Sequence, residues 1–162
     1  MNMKKININT AAVVYDTLSD LSQEDAMLMG KAVEAREKAY APYSNFKVGC
    51  ALLLDNGEIV LGNNQENAAY PSGMCAERVA IWKAGSAYPN MKVKKLAITA
   101  ASTTTEVNKP VGPCGACRQT LLEYENNQKE PIEIIFMGEV GKIAKVESLV
   151  SLLPFSFDSS YL

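Results

Sequence analysis

From about Ser22 to Tyr40 apolar residues recur at helical spacing, with Ala26, Met29, Val33 and Ala39 among the apolar positions and Glu34, Glu37 and Lys38 among the polar ones. The pattern predicts an amphipathic helix with Ser22 as its N-cap and Pro42 beyond its end. The period then shortens. Phe46 to Leu54 and Glu58 to Gly62 read as strands, and the Asp55-Asn56-Gly57 link holds the Asn-Gly pair that favours a tight hairpin. A second helix is predicted from near Cys75 through Val79, Ala80 and Ala84 to Gly85, and a buried strand from Val93 to Ala100. A third helix follows from Cys114 to Tyr124, opened by Pro113, whose missing N–H is harmless at a helix start. Ile132 to Met137 and Lys142 to Val146 read as strands, and Glu147 to Leu153 as a short helix stopped by Pro154.

The order α-β-β-α-β-α-β-β-α predicts an α/β fold, a sheet covered by helices, with the first two strands antiparallel and later ones able to run parallel. Residues 1–21 read as an N-terminal extension and 22–162 as a single catalytic domain, with no repeat or linker dividing them. Within the extension, Ile6, Ile8 and Val13-Val14-Tyr15 fit either an added strand or an arm on a neighbouring subunit.

Composition narrows the class. The chain has 162 residues, 48% of them hydrophobic, enough for one domain with a real core. A formal net charge of -2 without an arginine stripe or lysine run gives a nucleic acid little to attract, so none is expected as a partner. No apolar stretch is long enough to span a bilayer, so no membrane is expected either. The opening Met1-Asn2-Met3-Lys4-Lys5 is basic, but the polar residues within Ile6-Asn7-Ile8-Asn9-Thr10 do not make the apolar core of an export signal. Cys-x-x-Cys without such a signal points to reduced thiols and metal, and to the cytoplasm.

The candidate chemistry lies in Cys75-Ala76-Glu77 and Pro113-Cys114-Gly115-Ala116-Cys117, in a chain without histidine. With Cys114 at a helix start, Cys117 falls at i+3 on the same face, near enough for both sulfurs to reach one ion at about 2.3 Å. Cys75 would arrive from a second helix start, where unpaired N–H groups favour a thiolate. Three protein ligands leave a zinc ion one open position, the arrangement of catalytic rather than structural sites, and Glu77 places a carboxylate beside it. Three thiolates bring more negative charge than Zn2+ neutralises. Arg78 is the candidate to offset it; the alternative is a solvated helix residue. Cys50, in the apolar run Val48-Gly49-Cys50-Ala51-Leu52, reads as core.

Cys75-Ala76-Glu77-Arg78, followed by Pro113-Cys114-Gly115-Ala116-Cys117-Arg118-Gln119, closely resembles the small homotetrameric, three-cysteine cytidine deaminases. Tyr43 to Gly49 resembles their base-binding segment, Asn64 to Pro71 their ribose-binding segment, and Leu152-Leu153-Pro154 with Phe157 their C-terminal motif. The resemblance runs from about Ala39 to Phe157. It implies a three-layer cytidine deaminase-like fold with a mixed five-stranded sheet flanked by helices. It further implies zinc on Cys75, Cys114 and Cys117, with Glu77 as the proton shuttle. Phe46 would pack on the pyrimidine, Asn64 and Glu66 would bind the ribose hydroxyls, and the Ala76 backbone would hold the base. Residues matching Ala68, Tyr70 and Phe157 reach a neighbour's site in the family, which implies a homotetramer with shared active sites. The implied reaction is hydrolytic deamination of cytidine and 2'-deoxycytidine to uridine and 2'-deoxyuridine in pyrimidine salvage. Lys47, Gln65 and Cys50 depart from the family pattern, where proline, an aliphatic residue and alanine are usual. Two rival readings are a deaminase of another aminopyrimidine, against which Asn64 and Glu66 argue, and a structural zinc module, which would need a fourth ligand.

Overall fold

The computed structural model describes residues 3–162; Met1 and Asn2, the first two residues of the expected extension, lie outside the described residues. Among the described residues there are six strands and three α-helices, in the order β1 (Val13–Tyr15), α1 (Gln23–Glu37), β2 (Phe46–Leu54), β3 (Ile59–Asn63), α2 (Ala76–Ala87), β4 (Val93–Ser102), α3 (Gly115–Gln128), β5 (Glu133–Met137) and β6 (Ile143–Val146). The strands form one sheet in the order β1-β6-β5-β4-β2-β3. β2 pairs antiparallel with both β3 and β4, whereas β4 and β5 run parallel with α3 as the crossover between them. The sheet is mixed and has six strands where five were expected. The additional strand is β1, which pairs antiparallel with β6 at the register Val13 to Lys145. Of the two readings of Val13-Val14-Tyr15, this is the added strand, and its pairing covers the edge of β6.

Strand alternation sorts the core into two layers of side chains. Cys50, Leu52 and Leu54 of β2, with Leu96 and Ile98 of β4, join Ala80, Ile81 and Ala84 of α2 and Leu121 and Leu122 of α3. Their neighbours Ala51, Leu53 and Ala97 turn the other way, onto Leu28, Met29 and Ala32 of α1. One helix therefore covers one face and two cover the other, the three-layer arrangement that period-2 strands between amphipathic helices impose. Cys50 is fully buried among apolar side chains, as its strand context predicts, and burial pushes its thiol well up.

The hairpin between β2 and β3 turns at Asn56-Gly57, with Gly57 at φ 87, a conformation that glycine adopts without strain. Ser22 caps α1, its hydroxyl accepting from the Asp25 N–H at 3.1 Å. The helix ends at Glu37, short of the expected Tyr40, because the Tyr40 N–H donates instead to the Asn64 carbonyl at 3.0 Å. α3 runs one turn further than expected, to Gln128. The expected helix from Glu147 to Leu153 is only a 3-10 turn over Val150–Leu152. Here the amides of Leu149 and Val150 donate to the buried carboxylate of Glu125, at 2.9 and 3.2 Å, instead of opening a helix. Glu125 also takes the Ile132 N–H at 2.7 Å, which delays β5 to Glu133. Among the described residues no helix is long and apolar enough to cross a membrane.

Candidate active site

Both cysteine segments begin helices. Cys75 is the N-cap of α2 and Cys114 the N-cap of α3, each in extended conformation, so the first-turn amides of both helices lie beside the thiols. Cys117 projects from the first turn of α3 and is fully buried. The sulfurs of Cys75, Cys114 and Cys117 lie within 4.8 Å of one another. Tetrahedral ligation at 2.3 Å separates ligand sulfurs by about 3.8 Å, so small side-chain adjustments let one metal ion reach all three. Gly62 of β3 permits this placement: a Cβ there would lie 2.4 Å from the Ala76 carbonyl oxygen and 2.5 Å from the Ala80 nitrogen, so any larger residue would push the start of α2 off the sheet.

The thiols are electrostatically unequal. A hydrogen bond from Cys117, together with the Arg78 guanidinium and against the effect of burial, holds the Cys75 thiol down to about 5. The same contact with Cys75, joined by burial, pushes Cys117 up. Arg78 donates from Nη2 to Cys75 Sγ at 3.4 Å, so its guanidinium lies against the thiol cluster. Glu77 follows in the first turn of α2 and is 5% exposed. Burial, opposed by its own backbone N–H and reinforced by negative charge at Cys75, raises its carboxyl above the ordinary glutamate value.

In front of the thiols opens a cavity of about 600 Å³. Phe46, Asn64, Glu66, Tyr70, Cys75, Ala76, Glu77, Arg78 and Cys114 all line it, so residues spread over four sequence segments meet in one place. Asn64 sits just past β3 and ties down the start of β2: its Oδ1 accepts from the Val48 N–H at 2.8 Å and its Nδ2 donates to the Phe46 carbonyl at 2.9 Å. This clamp fixes Phe46 on the cavity wall and leaves one amide hydrogen of Asn64 uncommitted. Glu66 Oε2 accepts from the N–H groups of Tyr43 and Ser44 at 2.9 and 3.2 Å, while Oε1 takes the Ser44 hydroxyl. These bonds, led by the Ser44 hydroxyl, hold the Glu66 carboxyl below its usual range, so it stays ionised at neutral pH.

Ala68 and Phe157 do not line the cavity of their own chain. Phe157 instead stacks on Tyr161 with ring centroids 5.5 Å apart, and its carbonyl accepts from Gln119 Nε2 at 2.9 Å. Tyr70 is 76% exposed at the cavity rim, edge-on to Tyr43 at 6.3 Å. The cavity also includes Val48, Met74, Ile98, Val111 and Gly112, none singled out from the sequence. Strand alternation could have found Val48 and Ile98, which share the α2 side of the sheet with Cys50. Val111 and Gly112 carry no signal beyond their place just before Pro113.

Residues 22–129 match the family described as the cytidine and deoxycytidylate deaminase zinc-binding region. The cytidine deaminase of Halalkalibacterium halodurans is 44% identical over 122 residues, covering 70% of this chain and 88% of its own. That of Sporosarcina psychrophila is 38% identical over 135 residues, covering 83% and 92%. Among solved structures, the cytidine deaminase from Burkholderia pseudomallei superimposes with a TM-score of 0.72 at 37% identity, over 85% of this chain and 100% of that one. With the family pattern spanning both cysteine segments and the sheet between them, the chain belongs to the cytidine and deoxycytidylate deaminase family.

Proposed function

We propose that this protein hydrolyses the exocyclic amine of cytidine and 2'-deoxycytidine, giving uridine or 2'-deoxyuridine and ammonia, in pyrimidine salvage. The observation that carries the reading is the buried Glu77 carboxyl beside three clustered thiols on one side of a nucleoside-sized cavity. Cys75, Cys114 and Cys117 would hold zinc, which when bound supplies the Lewis acidity that makes water a nucleophile near neutral pH. Glu77 removes a proton from the attacking water and delivers it to the pyrimidine ring nitrogen, leaving carbon 4 open to addition. After addition, Glu77 passes the second proton to the amine, which departs as ammonia. A carboxyl raised by burial suits both directions of transfer, because its affinity for the proton lies closer to that of its partners.

The remaining roles follow the cavity. Phe46 offers a face to the base, the unpaired first-turn N–H of Ala76 offers a donor to the base carbonyl, and the free hydrogen of Asn64 with the carboxylate of Glu66 meets the ribose hydroxyls. Arg78 is the sole basic residue among the lining side chains, and it is committed to Cys75. A 5'-phosphate would therefore find no free cation and the negative charge of Glu66, which favours nucleosides over nucleotides. Phe157 and Ala68 stand outside their own cavity, which supports a homotetramer in which a neighbour contributes the missing wall. All four cysteines are free, in keeping with a cytoplasmic enzyme.

The test is ultraviolet loss of cytidine by the purified protein, repeated after chelation and again after restoring zinc, with cytidine 5'-monophosphate in parallel. Zinc-dependent turnover of cytidine with much poorer kcat/KM for the monophosphate is the expected result. Turnover unaffected by removal of the metal would overturn the mechanism, and equal kcat/KM for both compounds would overturn the assignment of substrate.

A further inference from the structure

Arg78 reaches Cys75 from one turn into α2, and its geometry leaves an unpaid polar group. Nε is buried and has no hydrogen-bond partner, while Nη2 donates to Cys75 Sγ at 3.4 Å. A long arginine near a surface ordinarily extends toward water, where all five N–H groups are satisfied and the side chain keeps its rotamer freedom. Something must hold this one inward. The residue four positions on, Trp82, lies on the same face of α2 and places its ring 5.9 Å from the guanidinium carbon, measured to the ring centroid. That spacing is within cation-π range.

We infer that Trp82 is a positioning residue for the metal centre, its indole face holding the Arg78 guanidinium against Cys75. The inference rests on the zinc reading above and extends it to a residue that does not itself line the cavity. Trp82 is 45% exposed, too open for its aromatic bulk to be explained by core packing alone. With the ring in place, the guanidinium stays next to the thiol and offsets its charge when metal is bound. Without it, Arg78 is free to satisfy Nε in solvent, and the excess negative charge of three thiolates goes uncompensated.

The experiment is a double-mutant cycle on the zinc-loaded protein, reading the rate of zinc transfer to a chromogenic chelator at fixed pH. Trp82→Leu is expected to speed transfer about two- to fivefold in the wild-type background, whereas Trp82→Phe, which keeps an aromatic face, stays nearer the wild type. In an Arg78→Gln background, Trp82→Leu should change nothing, since the cation it holds is gone. The same acceleration in both backgrounds would overturn the inference. Should Trp82→Leu fail to fold, Trp82→Phe takes its place in the cycle with a smaller coupling of the same sign. Trp82 is also the single tryptophan of the chain, so its emission reports the contact directly. Arg78→Gln is expected to shift that emission, and an unchanged spectrum counts against the inference. Absence of zinc from the purified wild-type protein would instead sink the functional reading, while the emission test of the contact would stand.

Discussion

Arg118, the residue after the last cysteine, donates from Nη1 to the carbonyl of Leu152 at 2.8 Å. Its Nε donates at 2.8 Å to the Pro113 carbonyl, immediately before Cys114. One guanidinium thus joins the C-terminal segment to the loop that sets a candidate ligand, and among the described residues neither carbonyl has another hydrogen-bond partner. Arg118→Ala is expected to cost about 1–3 kcal/mol of stability through the two half-buried carbonyls it leaves unpaired. Limited proteolysis should then cut the segment after Leu152 faster than in the wild type, before global unfolding. A variant with wild-type melting temperature and wild-type cleavage of the tail would show that the link is dispensable.

Such links explain what the sequence reveals and what it hides. The β2–β3 hairpin is legible because Asn56-Gly57 turns on local conformational preference alone. The thiol cluster is legible for a similar reason: i+3 spacing fixes Cys114 and Cys117 on one face, and a third cysteine beside a glutamate has few structural explanations. The end of α1 is not legible, because Tyr40 is captured by Asn64, far along the chain. β1 is legible only as one of two readings, decided by its pairing along the edge of β6, and the lost helix after Glu147 is not legible at all, displaced by a carboxylate on α3. Trp82 is not among the residues that the sequence singles out. Its relation to Arg78 needs both the helix phase and the position of Cys75 in space.

Glu77→Gln keeps the shape and removes the proton acceptor. The variant should fold, melt near the wild type and retain the metal on its three thiols, since Glu77 is not among the clustered sulfur donors. Turnover of cytidine should fall by at least the roughly 10²–10⁴-fold that general acid–base help supplies. Metal analysis and a progress curve on the same preparation check both halves. Retention of more than a tenth of the activity would remove Glu77 from the proton path.

Asp25 gives a prediction for acid stability. It is buried between Lys95 Nζ at 2.7 Å and Lys145 Nζ at 3.0 Å, with Glu24 and Glu133 sharing the same lysines. Burial raises its carboxyl, but the hydrogen bonds and charges of Lys95 and Lys145 together outweigh that and hold it below its ordinary value of 3.8. A group depressed in the folded state binds its proton more readily when unfolded. Its contribution is thus complete at neutral pH and is lost as pH falls below about 4 toward the folded value. Asp25→Asn is expected to lower stability at pH 7 by roughly 1–3 kcal/mol, because Lys95 and Lys145 then keep only the more exposed carboxylates of Glu24 and Glu133. Denaturant melts of wild type and variant should then converge as pH falls below about 4. Parallel curves over that range would mean that Asp25 does not titrate with folding.

Phe157 decides whether the site is shared. It is 59% exposed, outside the cavity of its own chain, and carried on a tail that Gln119 holds through the Phe157 carbonyl rather than through its ring. The backbone tether and the stack on Tyr161 hold the ring while leaving its other side open, as a wall offered to another chain requires. A cavity closed in trans excludes water and holds the base only in the assembled protein, so nucleoside binding should depend on the oligomer. Phe157→Ala is expected to raise KM for cytidine about five- to thirtyfold, in proportion to about 1–2 kcal/mol of lost apolar contact, while metal content stays at the wild-type level. Truncation before Pro154 removes the ring, its stacking partner Tyr161 and the Gln119 tether together, and should weaken both KM and assembly. Sedimentation and kinetics on the same samples give the decision. A homotetramer whose activity falls as it dissociates supports the shared wall, and a fully active monomer rules it out.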